Sequence, residues 1–139
     1  MEERLRSEAL SFAKAQTVSS VATVEDDKPW GRVMAHAQIG DDFSIWYSTF
    51  SFSNKIRQIK KNNLVCITMN EERKDIRIFG EVEILEDAET KHKMWRDEWT
   101  RYFKEGKDDP AYVILKVTAE KVEYRDFEKY GIMPIEVKI

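Results

Sequence analysis

From Ser48 to Lys55 the chain reads STFSFSNK, and the stretch that follows, Asn54 to Lys61, has the composition of a short basic helix. Ser53 stands where the N-cap of that helix would be. The first N–H groups of a helix lack intrahelical acceptors and carry a partial positive charge. Lys55 falls in that first turn, where a cation is unfavourable unless an anion lies between it and the helix end. That mismatch points to a phosphate, with the hydroxyls of Thr49 and Ser53 as further donors. Arg32 supplies a second cation. It lies on a strand expected to span Trp30 to Ile39, turn at Gly40-Asp41-Asp42 and return as Phe43 to Ser48. On that reading Arg32 and the Ser48/Thr49 pair are neighbours across one ladder. The residues alone leave two readings open: an anion site, or a solvated loop with a capped helix, since capping serines and surface lysines are common.

Other chemistries lack their residues. There is no GxxxxGK[ST] stretch, no GxGxxG among the five glycines and no Gly-x-Ser-x-Gly elbow. Two histidines (His36, His92) and one cysteine (Cys66) are too few and too scattered for a typical zinc site, so no metal is expected. Cys66 lies within an apolar run and reads as an inert core thiol, outside any disulfide framework. Asp and Glu cluster in turns and on solvated faces, and none stands out as a general acid or base.

The elements that must position the candidate residues follow from periodicity. The 139 residues are 42% hydrophobic and 35% charged, with net charge −3. This composition implies one globular domain over 1–139, and argues against non-specific nucleic-acid binding. No apolar run approaches a bilayer span, and the start has no secretory h-region, so a cytoplasmic protein off the membrane is expected. Arg4 to Gln16 reads as an amphipathic helix with Leu5, Ala9, Phe12 and Ala13 on one face. Strands are expected over Thr17–Val24, Trp30–Ile39, Phe43–Ser48, the NLVCITMN run and Asp75–Leu85, with one long bent strand from Ala111 to Tyr124. Ile56 and Ile59 mark the inner face of the short helix. Asp87 to Phe103 reads as the longest helix, carrying Trp95 and Trp99 on one face. Together these give a mostly β, α+β fold: about six antiparallel strands in a barrel or sandwich with flanking helices.

In order and spacing, these pieces resemble the pyridoxamine 5′-phosphate oxidase-like, FMN-binding split-barrel family, in its general stress protein 26-like branch. The resemblance rests on Pro29 and Arg32, on IWYST ending at Thr49, and on SNK at Ser53 to Lys55. KKNNLVCITM, IRIFGEVEIL, MWRDEWTRYFKEGKDDP and AYVILKVTAEKVEYRD extend it over about residues 6–126. It implies a six-stranded antiparallel Greek-key split barrel, assembled as a homodimer with FMN at the subunit interface. It implies that Arg32 and Lys55 hold the cofactor phosphate, with Thr49 and Ser53 bonding to it. The backbone of Val33, Met34 and Ala35 would run along the isoalloxazine ring, with Ser48 and Asn54 as near neighbours. The implied function is an FMN-dependent oxidoreductase acting on an unknown small-molecule substrate or electron donor. The alternative is a non-catalytic FMN- or haem-binding stress or sensor protein. Two departures stand out. Arg125 occupies a last-strand position where many relatives carry Trp. The tail DFEKYGIMPIEVKI does not match the longer segment that binds substrate phosphate in true pyridoxamine phosphate oxidases, so that reaction is not expected. The tail itself reads as an extended strand available to a partner subunit. Trp95 and Trp99 read as core or dimer packing, with a place over the flavin as the alternative; His36 reads as structural or as facing the cofactor groove.

Overall fold

A computed structural model describes residues 1–139. Helix α1 (Glu2–Ala15) buries Leu5, Ala9, Phe12 and Ala13, the stripe that the sequence spacing predicts. Strands β1 (Val18–Glu25) and β2 (Lys28–Ala35) form a hairpin whose turn residues, Asp26 and Asp27, take φ of 53° and 62°. Aspartate tolerates that left-handed region, which two-residue hairpins require. A two-residue strand β3 (Gln38–Ile39), β4 (Ile45–Phe50), helix α2 (Asn54–Lys61), β5 (Leu64–Glu71) and β6 (Lys74–Leu85) follow. After α3 (Ala88–Met94) and two turns of 3-10 helix come β7 (Tyr112–Asp126), α4 (Phe127–Tyr130) and β8 (Ile135–Val137).

The strands form one antiparallel sheet in the order β2-β1-β5-β6-β7-β4-β3, with β8 beside β7. The two ends of this path, β2 and β3, are consecutive in the chain. The His36 N–H donates to Thr17 O at one end of the sheet and the Ala37 N–H to Trp46 O at the other, at 3.3 and 2.7 Å. The sheet is therefore curled into a split barrel, joined at the split by the chain itself. Inside lie Val21, Ile45, Tyr47, Ile67, Ile76, Ile78, Val117 and Val122, all buried. Each such side chain contributes roughly 1.5–3 kcal/mol of burial. Opposite Gly80 the ladder of β6 and β7 shifts register, and a Cβ there would collide with the Thr118 carbonyl oxygen. The glycine permits that close approach and the bend of the long strand. No helix is long and apolar enough to cross a membrane.

Several expectations need correction. The six expected strands are six long ones plus the short β3 and β8. The strand expected over Trp30–Ile39 ends at Ala35, because the chain changes from one sheet end to the other at His36 and Ala37. Arg32 consequently pairs with Val21 of β1, not with β4. The Gly40-Asp41-Asp42 turn does join β3 to β4, through a bond from Gly40 N–H to Ser44 O at 2.8 Å. The helix expected over Asp87–Phe103 breaks at Trp95 (φ −59°, ψ 140°), and the chain resumes as 3-10 helix over Asp97–Arg101. Cys66 is only half-buried on the outer face of β5 rather than in the core, between Ala22 and Phe79. The tail strand β8 pairs with the chain's own β7, and Val137 is buried in the main core.

Candidate functional site

A cleft of about 380 Å³ opens where the barrel is split. Its floor is the crossing segment Met34, Ala35, His36 and Ala37; its walls are Ser48, Thr49, Phe50 and Lys55 on one side and Arg96, Trp99, Tyr102 and Phe103 on the other. The break after α3 builds the second wall. It lets Trp95, Trp99 and Phe103 all pack around the ring of Tyr112, with centroids 5.2, 5.9 and 5.1 Å away. A continuous helix has no Pro or Gly to stop it here; packing around Tyr112 overrides local propensity. Arg96, freed by the break, donates to Ala37 O and lies over the Trp99 ring.

Helix α2 begins at the cleft rim. Ser53 is its N-cap, with φ −70° and ψ 154°, but its side chain makes no capping bond. The Ser53 Oγ is buried and has no hydrogen-bond partner. Lys55 Nζ donates to Thr49 Oγ1 at 3.2 Å. Arg32 reaches inward from β2: Nη1 donates to Val21 O at 3.3 Å and Thr23 Oγ1 at 3.0 Å, and Nη2 to Gln58 Oε1 at 2.9 Å. The buried Thr23 hydroxyl in turn donates to Gln58 Oε1 at 2.6 Å. Neither Arg32 nor Lys55 takes part in an ion pair. Burial lowers the pKa of Lys55 from the ordinary lysine value, and the charge of Arg32 lowers it further; burial lowers Arg32 as well. Two half-buried cations are thus held only by neutral oxygens.

Of the predicted residues, the cleft lining gathers Met34, Ala35, Ser48, Thr49 and Lys55. Arg32, midway along β2, and Ser53, at the head of α2, are not among its lining residues. Val33 turns its side chain to the outer face of β2, and exposed Asn54 accepts a bond from Arg57 at 3.3 Å. His36 is anchored by side-chain bonds and also lines the cleft. Its ring lies in the cleft floor, and its nitrogens engage Ser19 Oγ at 3.2 Å and Gln16 O at 2.7 Å. Burial lowers its pKa, so the neutral ring is favoured. Arg125 bonds Asp75 through Nε and Nη2 and lies over the Phe127 ring. Thr23, Gln58, Arg96 and Tyr102 were missed. Gln58 was hidden in the basic run KIRQIKK, where its lack of charge was the available signal.

A family model described as Pyridoxamine 5'-phosphate oxidase matches residues 5–126. The chain belongs to the pyridoxamine 5′-phosphate oxidase family. The chain is 29% identical, over 126 residues, to General stress protein 26 of Bacillus subtilis (strain 168); the match covers 87% of this chain and 88% of that protein. The crystal structure of a protein from Clostridium acetobutylicum, related to general stress protein 26, superposes with a TM-score of 0.85 at 26% identity. It covers 100% of this chain and 97% of that chain. A pyridoxamine 5'-phosphate oxidase-related, FMN binding protein from Nostoc punctiforme PCC 73102 shares the fold, with a TM-score of 0.70 at 16% identity over 91% of this chain and 81% of that one.

Proposed function

We propose that this member of the pyridoxamine 5′-phosphate oxidase family binds FMN and acts as an oxidoreductase on a small-molecule substrate other than pyridoxamine phosphate. The carrying observation is the pair of uncompensated cations beside an orphaned hydroxyl. Leaving a buried donor unpaired costs about 1–3 kcal/mol. A phosphate offers oxygens to Ser53 Oγ, to the free N–H groups of α2, and to the charges of Arg32 and Lys55 together. Thr49 would hold Lys55 and add its own hydroxyl. The backbone of Val33, Met34 and Ala35 would flank the flavin ring, with Ser48 and Asn54 at its periphery. When bound, FMN supplies the electron-transfer chemistry. The chain's part is then to bind and orient, and the aromatic wall of Trp99, Tyr102 and Phe103 would cover one side of the bound flavin.

The reading includes a two-fold homodimer in the cytoplasm. Its support is the outer face of the sheet, where Val18, Val33, Leu64 and Phe79 are all exposed, with Ala22 and Cys66 between them in register. An apolar face of this kind seeks cover. Titrating the purified protein with FMN and with riboflavin tests the phosphate site: FMN should bind at least about tenfold more tightly, and equal affinities refute it. NAD(P)H oxidation by the flavin-loaded protein then separates an enzyme from a flavin-binding protein without turnover.

A further inference from the structure

We infer that Gln58 and Thr23 are positioning residues for the phosphate site, setting the direction of Arg32 while leaving its charge uncompensated. The inference rests on the FMN reading above and assigns a role to two residues outside the cleft lining. Gln58 is 1% exposed and Thr23 fully buried. Gln58 enters the barrel from α2, the helix whose head carries Ser53 and Lys55, while Thr23 and Arg32 come from the β1–β2 hairpin. The Gln58 amide oxygen accepts both the Thr23 hydroxyl and an Arg32 N–H, so it joins the two structures that supply the cations.

The chemistry of the acceptors is the decisive point. A half-buried arginine is ordinarily met by a carboxylate, which neutralises it. Here all three acceptors are neutral: a carbonyl, a hydroxyl and an amide. They fix the guanidinium through its two terminal nitrogens and leave its positive charge for another ligand. A glutamate at position 58 would have nearly the same shape. It would pair with Arg32, however, and place a negative charge near Lys55 and the anion that the two cations attract.

The test is the ratio of FMN to riboflavin affinity, read by quenching of flavin fluorescence, with melting temperature as a check on folding. Gln58→Glu should reduce the preference for FMN by about tenfold or more while riboflavin affinity stays at the parent value. Thr23→Val keeps the volume and removes the hydroxyl; it should reduce the preference several-fold, and it decides the matter if Gln58→Glu fails to fold. A purely structural role would shift both flavins together, or the melting temperature alone, and either pattern overturns the inference. If the parent prefers FMN and the folded variants keep that preference, the inference falls and the FMN reading stands. If the parent itself binds both flavins equally, the phosphate site falls and the inference with it.

Discussion

Arg32 and Lys55 differ in what they can offer an anion. Arg32 is a planar fork held at two nitrogens, whereas Lys55 is a point charge on a flexible stem with one bond to Thr49. Charge-assisted hydrogen bonds are worth about 1.5–3 kcal/mol each, so Arg32→Ala should weaken FMN binding by about tenfold or more, and Lys55→Ala by less. Both variants should fold, because Thr23 and Gln58 still bond each other without the guanidinium. Parent-like FMN affinity in both would return the hydroxyl-rich turn to a plain capped loop. Ser53 makes a sharper case. Replacing an N-cap serine by alanine usually costs about 0.5–2 kcal/mol, because a capping bond is lost. Here there is no such bond to lose. Ser53→Ala should therefore leave the melting temperature of the flavin-free protein unchanged or slightly raised, while weakening FMN binding several-fold. A fall in that melting temperature together with unchanged FMN affinity would show that the serine serves the helix and not a ligand.

Among the elements, the bend in β7 depends on one missing methyl group. At Gly80 an added Cβ meets the Thr118 carbonyl oxygen and lies 3.2 Å from Val117 Cγ1. Backbone cannot rotate aside as a side chain can, so Gly80→Ala should destabilise by about 1–3 kcal/mol, read as a lower midpoint in denaturant. An unchanged midpoint would mean that β6 slides freely past β7. The glycine and its strand were legible in the sequence, as were α1 and α2, because their apolar positions repeat with a period that only one structure satisfies. The helix after β6 was misread for the complementary reason. Trp95, Trp99 and Phe103 keep a helical spacing, but their rings gather around Tyr112, a partner on another element that periodicity cannot see. The placement of Arg32 failed similarly. The change of sheet end at His36 carries no turn signal, so the sequence reading pairs this strand with β4, whereas Arg32 lies opposite Val21 of β1. Ser48, Thr49 and Lys55, which the cleft lining gathers, were legible from their types. The neutral acceptors beneath Arg32 were not, because Thr23 and Gln58 come from separate elements and have no motif of their own.

At the scale of the whole molecule, the outer sheet face and the cleft make different demands. Leu64 is exposed on the outer face and does not line the cleft, so a charge there probes assembly without replacing a side chain of the cleft. The parent should sediment as a dimer at micromolar concentration, and Leu64→Lys should shift it toward monomer. A monomeric parent in the presence of FMN would remove the case for a subunit interface.

The crossing at His36 and Ala37 has a dynamic consequence. At that point the barrel is closed by one stretch of backbone, tied by one amide to each sheet end and by the side chains of His36 and Arg96, whereas β6 and β7 are paired along twelve positions. Opening the seam breaks few bonds and exposes little of the core, so it should cost much less than global unfolding. The amide protons of His36 and Ala37 should therefore exchange with deuterated solvent faster than those of Ile76 or Ile78. FMN in the cleft, lying against the segment that must move, should slow them selectively. The floor of the cleft would then also be its hinge, and ligand entry would be governed by how often a closed barrel lets go of its own seam.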